Sequence, residues 1–227
     1  MDGFSHGLPY HRPMISLPRA ARVAVVTLAV AALTSGCSDD EPSASGTCDY
    51  PSAQAAAVEV DPPDEKPDLA DSLTATLTFD QGPVTIELTP ERTPCTVNSF
   101  VTLAKQGYFD GTECHRLTTE GIFVLQCGDP TATGTGGPGW TIPDEVDGSE
   151  TYPAGTVAMA KTQAPDSGGS QFFLVYEATP LPPDYTVFGQ MDADSVAVVA
   201  GIADEGSEPA GDGAPKEKAV ISAVEVE

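Results

Sequence analysis

Between Ser72 and Pro90 the chain reads SLTATLTFDQGPVTIELTP, and apolar side chains fall on every second position. Leu73, Ala75, Leu77 and Phe79 come first, then Val84, Ile86 and Leu88 beyond the turn signal DQGP. A period of two puts each set on one face of an extended strand, and two such runs around a Gly-Pro turn specify an antiparallel hairpin with one buried face. Such a face has to be covered by more sheet or by a helix. The next segment, RTPCTVNSFVTLAKQGY, changes period: Thr93 is placed to cap, Pro94 suits a first helical turn, and Val97, Phe100, Val101 and Ala104 line one side before Gly107 stops the helix. Strand-like runs then recur at ECHRL, GIFVLQCG, GTVAMA, SQFFLVY and YTVFGQM. A second helical pattern, DADSVAVVAGIADEG, and a closing strand, KAVISAVEVE, follow, with EGSEPAGDGAP between them read as a surface loop. Many strands with two helices at separated points predict a mainly β domain, a closed barrel with helices over its ends.

The ends of the 227-residue chain read differently from this middle. Arg12, Arg19 and Arg22 precede an apolar run from Val23 to Leu33 that ends in LTSGC at Cys37. The run is short for a membrane span, which needs about 20 residues, and suits a secretory leader. It resembles a bacterial lipoprotein signal, with 1–36 removed and Cys37 the lipid-bearing first residue. Thr34 stands where leucine is commonest in that motif, and an uncleaved signal anchor or a plain secreted protein is the other reading. From 37 to 70 the composition turns to Ser, Ala, Pro and Asp, which predicts a flexible tether, with the folded domain at 71–227. The expected location is the extracytoplasmic face of the cell membrane, held there by the lipid.

Ten Lys and Arg against thirty-four acidic residues, a formal charge of -24, argue against a nucleic-acid partner, because neutralising phosphates takes clustered cations. Cys48, Cys95, Cys114 and Cys127 remain after the leader. In an oxidising compartment an even set predicts disulfides, in any of three pairings, and a bond from Cys48 would pin the tether to the domain. A metal site is the weaker reading, since no CxxC occurs and His115 is the one histidine nearby. A Ser170–His115–Asp129 hydrolase is weaker still, because GGSQF is not a strand-to-helix nucleophile elbow. Trp140, on a Gly-rich loop, reads equally as a packing plug or a substrate contact.

CHRLTTEGIFVLQCGD, GSQFF and YTVFGQ, in that order after a hairpin and a helix, resemble the cyclophilin family of peptidyl-prolyl isomerases over roughly residues 73–226. The resemblance implies an eight-stranded antiparallel barrel capped by two α-helices, with a proline-binding groove on its outer face. It assigns the catalytic arginine to Arg116, a pocket phenylalanine to Phe123 and the glutamine three residues later to Gln126. Val124, Gln171 and Phe173 complete the match, and by analogy Leu181 and Tyr185 form floor and wall. Lys161 stands where the family has a clamping asparagine, so the backbone of Ala160 is left to pair with an extended ligand. Pro180 replaces a tryptophan of many eukaryotic members. Between Arg116 and Phe123 the chain is two residues longer than the commonest pattern, which predicts a wider turn.

This set of residues has a chemical logic. Rotation about a peptide C–N bond is opposed by about 18–20 kcal/mol of double-bond character, and uncatalysed Xaa-Pro exchange takes on the order of tens of seconds or more. Easing it needs neither nucleophile nor proton abstraction, hence no cofactor and no metal. It needs a donor for the twisted prolyl nitrogen, which a permanently charged guanidinium supplies, inside an apolar wall that excludes water. Gln126 can orient the arginine without opposing its charge, as a carboxylate would. The expected function is isomerisation of Xaa-Pro bonds in exported, proline-containing polypeptides by a monomer. The alternative is a proline-peptide-binding chaperone or scaffold with little turnover.

Overall fold

The computed structural model describes residues 46–227. Cys37 and the whole 1–36 leader lie outside the described residues. Among them, no helix is long and apolar enough to cross a membrane.

The hairpin forms as its alternation requires: β1 (Leu73–Phe79) pairs antiparallel with β2 (Gly82–Leu88), and Ala75, Leu77, Val84 and Ile86 are fully buried. Helix α1 (Pro94–Lys105) starts at Pro94 as expected, but Thr93 makes no side-chain cap. Its role is taken by Glu145, whose carboxylate accepts from the N–H groups of Cys95 and Thr96 at 2.9 and 2.8 Å. A carboxylate at this end also opposes the positive pole of the helix dipole. The run at 113–117 divides into β3 (Thr112–Glu113) and β4 (Arg116–Thr118). Four strands follow: β5 (Val124–Cys127), β6 (Thr156–Met159), β7 (Phe172–Val175) and β8 (Val187–Met191). Helix α2 (Ala193–Asp204) is capped by Asp192, which accepts from Ser195 N at 2.7 Å. The segment read as a surface loop contains two strands, β9 (Ser207–Glu208) and β10 (Asp212–Pro215), before β11 (Val220–Val226).

All pairings are antiparallel, in the order β3-β11-β1-β2-β8-β6-β7-β5-β4-β10-β9. The closed eight-stranded barrel expected above is therefore corrected to a curled eleven-stranded sheet. Among the described residues no ladder joins its two ends. The polypeptide at Cys114–His115 links β3 to β4 covalently, and the β9–β10 pair extends the sheet past β4.

Side-chain alternation across this curl separates two apolar clusters. The inner one holds Phe100, Phe109, Phe172 and Phe188, whose rings meet at centroid distances of 5.2 to 6.4 Å. The outer one is small: Val124, Tyr152, Ala158, Phe173 and Val175. Phe172 and Phe173, adjacent in sequence, thus belong to opposite faces, as a period of two requires.

The chain from 46 to 70 lies on the domain. Cys48 is bonded to Cys95 and Cys114 to Cys127, so all four thiols are consumed in disulfides. Tyr50 donates to Cys95 O at 3.0 Å and accepts from Asn98 at 2.9 Å, while Val60 and Leu69 pack on the inner core. The expectation of a tether through residue 70 is corrected for this part: from Cys48 onward it is a strap belonging to the folded unit.

Candidate active site

Strand register brings the candidate residues together. Arg116 on β4 stands opposite Gln126 on β5, Gln126 opposite Phe173 on β7, and Phe173 opposite Ala158 on β6. Directly opposed residues in antiparallel ladders point to the same face, so one row runs from cation to amide to aromatic ring. Around it lies a hollow of about 200 Å³ walled by Ile122, Val124, Phe173, Leu181 and Tyr185, with Arg116, Gln126, Ala160 and Lys161 at its polar side. That is below the range of about 300–1,000 Å³ usual for drug-sized ligands, and suits one small ring. Phe173 and Tyr185 meet edge to face at 5.4 Å. Buried Tyr152 braces both rings, its hydroxyl donating to Tyr185 O at 3.1 Å and accepting from Tyr185 N at 2.9 Å.

Phe123 is not in this wall, and its assignment to the pocket is corrected. Ile122, Val124 and Gln126 share one parity and Phe123 the other, and the β4–β5 ladder ends at Thr118–Val124, before Phe123. In the longer turn Phe123 swings to Tyr176, with ring centroids 6.1 Å apart, and its N–H donates to Thr179 Oγ1 at 2.9 Å. Period-two counting backwards from Gln126 would have found Ile122.

The polar side is a relay of hydrogen bonds. Arg116 Nη1 donates to Gln126 Oε1 at 3.3 Å, Gln126 Nε2 to Gln171 Oε1 at 2.9 Å, and Gln171 Nε2 to Gly136 O at 3.0 Å. Gly136 is held in turn by Asp129, whose buried carboxylate accepts from the N–H groups of Thr131, Gly134 and Gly136. A side chain at 136 would run into that carboxylate. Ser170 donates to Gly128 O at 2.7 Å, and both ring nitrogens of His115 are buried without a partner. Ser170, His115 and Asp129 therefore form no triad. Trp140 is a plug: buried, with its indole N–H donating to Ser99 at 3.0 Å.

A carboxylate also meets the arginine, from the side away from Gln126. Asp212 accepts from Arg116 Nε and Nη2, each at 2.7 Å, as a bidentate fork. β10 carries it there by pairing with β4, Asp212 opposite Thr118. Arg116 is 39% and Asp212 57% exposed, so solvent screens their attraction. The Asp212 hydrogen bond raises the Arg116 pKa, and the Arg116 hydrogen bond lowers that of Asp212. A guanidinium has five N–H donors; three are engaged, and the two left lie on Nη1 and Nη2. Lys161, 13% exposed, turns to Asp144 at 2.7 Å. The Ala160 N–H is taken by Gln171 O at 2.9 Å, so only the Ala160 carbonyl remains for a ligand.

A family model described as "Cyclophilin type peptidyl-prolyl cis-trans isomerase/CLD" matches residues 74–226. The chain belongs to the cyclophilin family. A Mycobacterium leprae protein named "Probable peptidyl-prolyl cis-trans isomerase B" is 44% identical over 184 residues, which cover 74% of this chain and 62% of that protein. The Bacillus subtilis "Peptidyl-prolyl cis-trans isomerase B" is 46% identical over 114 residues, 49% of this chain and 78% of the relative. The chain thus spans less than two thirds of the mycobacterial relatives it matches, 62% and 54% of their lengths. Among solved structures, a Cryptosporidium parvum cyclophilin crystallised in the presence of the dipeptide Ala-Pro superposes with a TM-score of 0.61 at 27% identity. It covers 68% of this chain and 98% of that one. Every residue of the 200 Å³ hollow lies inside the cyclophilin match, whereas the strap at 46–70 lies outside it.

Proposed function

We propose that this cyclophilin accelerates cis-trans rotation of Xaa-Pro bonds in exported polypeptides, without a covalent intermediate. The observation that carries the reading is the cross-strand row, which sets a guanidinium with free N–H donors beside a ring-sized hollow with one apolar wall. Phe173, Val124, Ile122, Leu181 and Tyr185 would hold the pyrrolidine by apolar contact and exclude water from the amide. As the C–N bond twists, its nitrogen loses conjugation and gains a localised lone pair. An Arg116 N–H donates to that lone pair only in the twisted state, so the contact lowers the barrier rather than merely tightening binding. Removing one such preorganised donor typically costs about 10²–10³ in rate. Gln126 and Asp212 position the guanidinium.

Lipid attachment at Cys37 and residence on the outer face of the membrane are part of the same reading, supported by the leader's pattern and by two disulfides, which suit an oxidising compartment. Clients would be proline-containing segments of proteins in that compartment, met by a monomer. A protease-coupled cis-to-trans assay on an Xaa-Pro peptide, run with wild type and Arg116→Ala, tests the reading. Acceleration by wild type and its loss in the variant are expected. Two rates both equal to the spontaneous one would replace the enzyme with a proline-peptide-binding module.

A further inference from the structure

Beside the proline hollow runs a second, larger cleft of about 480 Å³, and the two share Gln126, Ala160 and Lys161. The cleft therefore adjoins the hollow, within reach of a side chain neighbouring a proline held there. Most of the cleft is made by the 134–141 loop and the 167–171 turn, but one wall comes from elsewhere: Ala53 and Gln54 of the strap. These residues lie outside the family-matched region, so the wall is an addition to the domain that carries the hollow.

The strap is built to hold its place. Cys48 is bonded to Cys95 in α1. Thr141 N donates to Pro51 O at 3.0 Å, Ala53 N to Gly139 O at 2.9 Å and Ala57 N to Gly137 O at 2.8 Å, with Ser52 bridged to Trp140. The strap thus adds an extended edge to the 137–141 loop. Gln54 sits between the first two anchors and the third, and its amide nitrogen donates to Thr135 O across the cleft mouth. One amide hydrogen and the amide oxygen of Gln54 are left to face an occupant. Among the described residues no carboxylate lines the cleft, and the one cation there, Lys161, is paired with Asp144.

We infer that the strap, through Gln54, is a specificity-determining wall that selects the residue flanking the substrate proline, favouring an uncharged side chain ending in an amide or hydroxyl. Gln54 is exposed, so water takes its free amide positions when the flank is apolar, and the physical basis is the net gain of about 0.5–1.5 kcal/mol from exchanging that water for one hydrogen bond to a polar flank. This rests on the proposed isomerase reading for what occupies the hollow.

The test uses paired peptides differing only in the flanking residue, Gln or Thr against Leu or Val, scanned on both sides of the proline. Wild type, Gln54→Ala and the strap-releasing pair Cys48→Ser with Cys95→Ser are compared by the ratio of kcat/KM for polar over apolar flanks. The wild-type ratio should exceed one at one flanking position, and Gln54→Ala should lower it about three- to tenfold, in keeping with the loss of a single hydrogen bond of about 0.5–1.5 kcal/mol. A ratio unchanged in Gln54→Ala, or near one in wild type at every position, overturns the inference, whatever the cysteine pair does. The same ratios taken from NMR titration of peptide affinity keep the test independent of turnover. A chain that binds selectively but does not isomerise would refute the proposed function and leave the wall standing.

Discussion

Asp212 offers the sharpest perturbation, because two arguments about it predict opposite signs. If the carboxylate chiefly neutralises Arg116, removing it should strengthen the guanidinium and speed the reaction. If it chiefly orients Arg116, removing it should slow the reaction. The geometry favours orientation. Two 2.7 Å bonds hold the Nε and Nη2 edge, leaving one 3.3 Å bond to Gln126 if they go. The charge effect is blunted, since at 57% exposure of Asp212 the attraction lies toward the aqueous limit of about 1 kcal/mol at 4 Å. An arginine side chain carries about 2 kcal/mol of rotamer entropy. If half of that ordering must be supplied by the substrate once the fork is lost, the penalty is about 1 kcal/mol, or roughly fivefold in kcat/KM. Asp212→Ala should therefore lose about fivefold, while Asp212→Asn, which retains an acceptor without charge, should stay within about twofold. Stability should fall by no more than about 1 kcal/mol, as for other exposed pairs, visible as a Tm shift of about 2–4 °C. The Arg116 hydrogen bond lowers the Asp212 pKa, so the pair's contribution is present above the ordinary carboxylate value of about 3.9 and lost only as pH falls through the lower folded value. Its effect on turnover should be flat from pH 5 to 8. Two variants both faster than wild type would refute the orientation argument.

Three further outcomes follow from the same structure. Ile122→Ala removes three carbons from a half-buried side chain, about 1.2 kcal/mol when half of about 0.8 kcal/mol is counted for each, and should raise KM by up to about tenfold, whereas Phe123→Ala should leave KM unchanged and lower stability; the reverse pattern would restore Phe123 to the pocket. From separations of 47 and 13 residues, loop-closure entropy assigns about 4 kcal/mol to Cys48–Cys95 and about 3 kcal/mol to Cys114–Cys127, so denaturant midpoints of the two double-serine variants should fall in that order. Burial lowers the His115 pKa, with Arg116 adding to the effect and Asp129 opposing it. Its contribution to stability is therefore complete above about pH 6.5 and lost as pH falls through the lower folded value. His115→Phe should flatten the stability difference between pH 7.5 and 5.5, and an unchanged slope would contradict this.

What was legible in the chain was local period. Alternation over 73–88 and the helical spacing from Pro94 specify the hairpin and α1 directly, and the period of two in SQFFLVY sets Phe172 and Phe173 on opposite faces. Arg116, Gln126 and Phe173 were recognisable from motif and fall in one row because three short strands pair in register. Asp212 was not legible: its partner lies 96 residues away, and EPAGDGAP has the composition of a loop until β4 pairs with it. The strap was missed for a related reason. Its hold on the domain comes from one disulfide, scattered backbone and side-chain hydrogen bonds, and three partly buried side chains, Tyr50, Val60 and Leu69. Those anchors are too sparse to give Ser-, Ala- and Pro-rich sequence a period. Phe123 was misplaced by motif where parity would have placed it correctly.

The central claim is that the Arg116 guanidinium acts on the twisted amide and not on the bound ground state. Magnetisation-transfer NMR on an Ala-Pro peptide at equilibrium reads both quantities at once, the cis-trans exchange rate on the protein and the affinity of each isomer. The account predicts that Arg116→Ala lowers the exchange rate by about 10²–10³ while peptide affinity changes by less than about tenfold. Exchange equally fast in the variant, or a loss explained wholly by weaker binding, would contradict it.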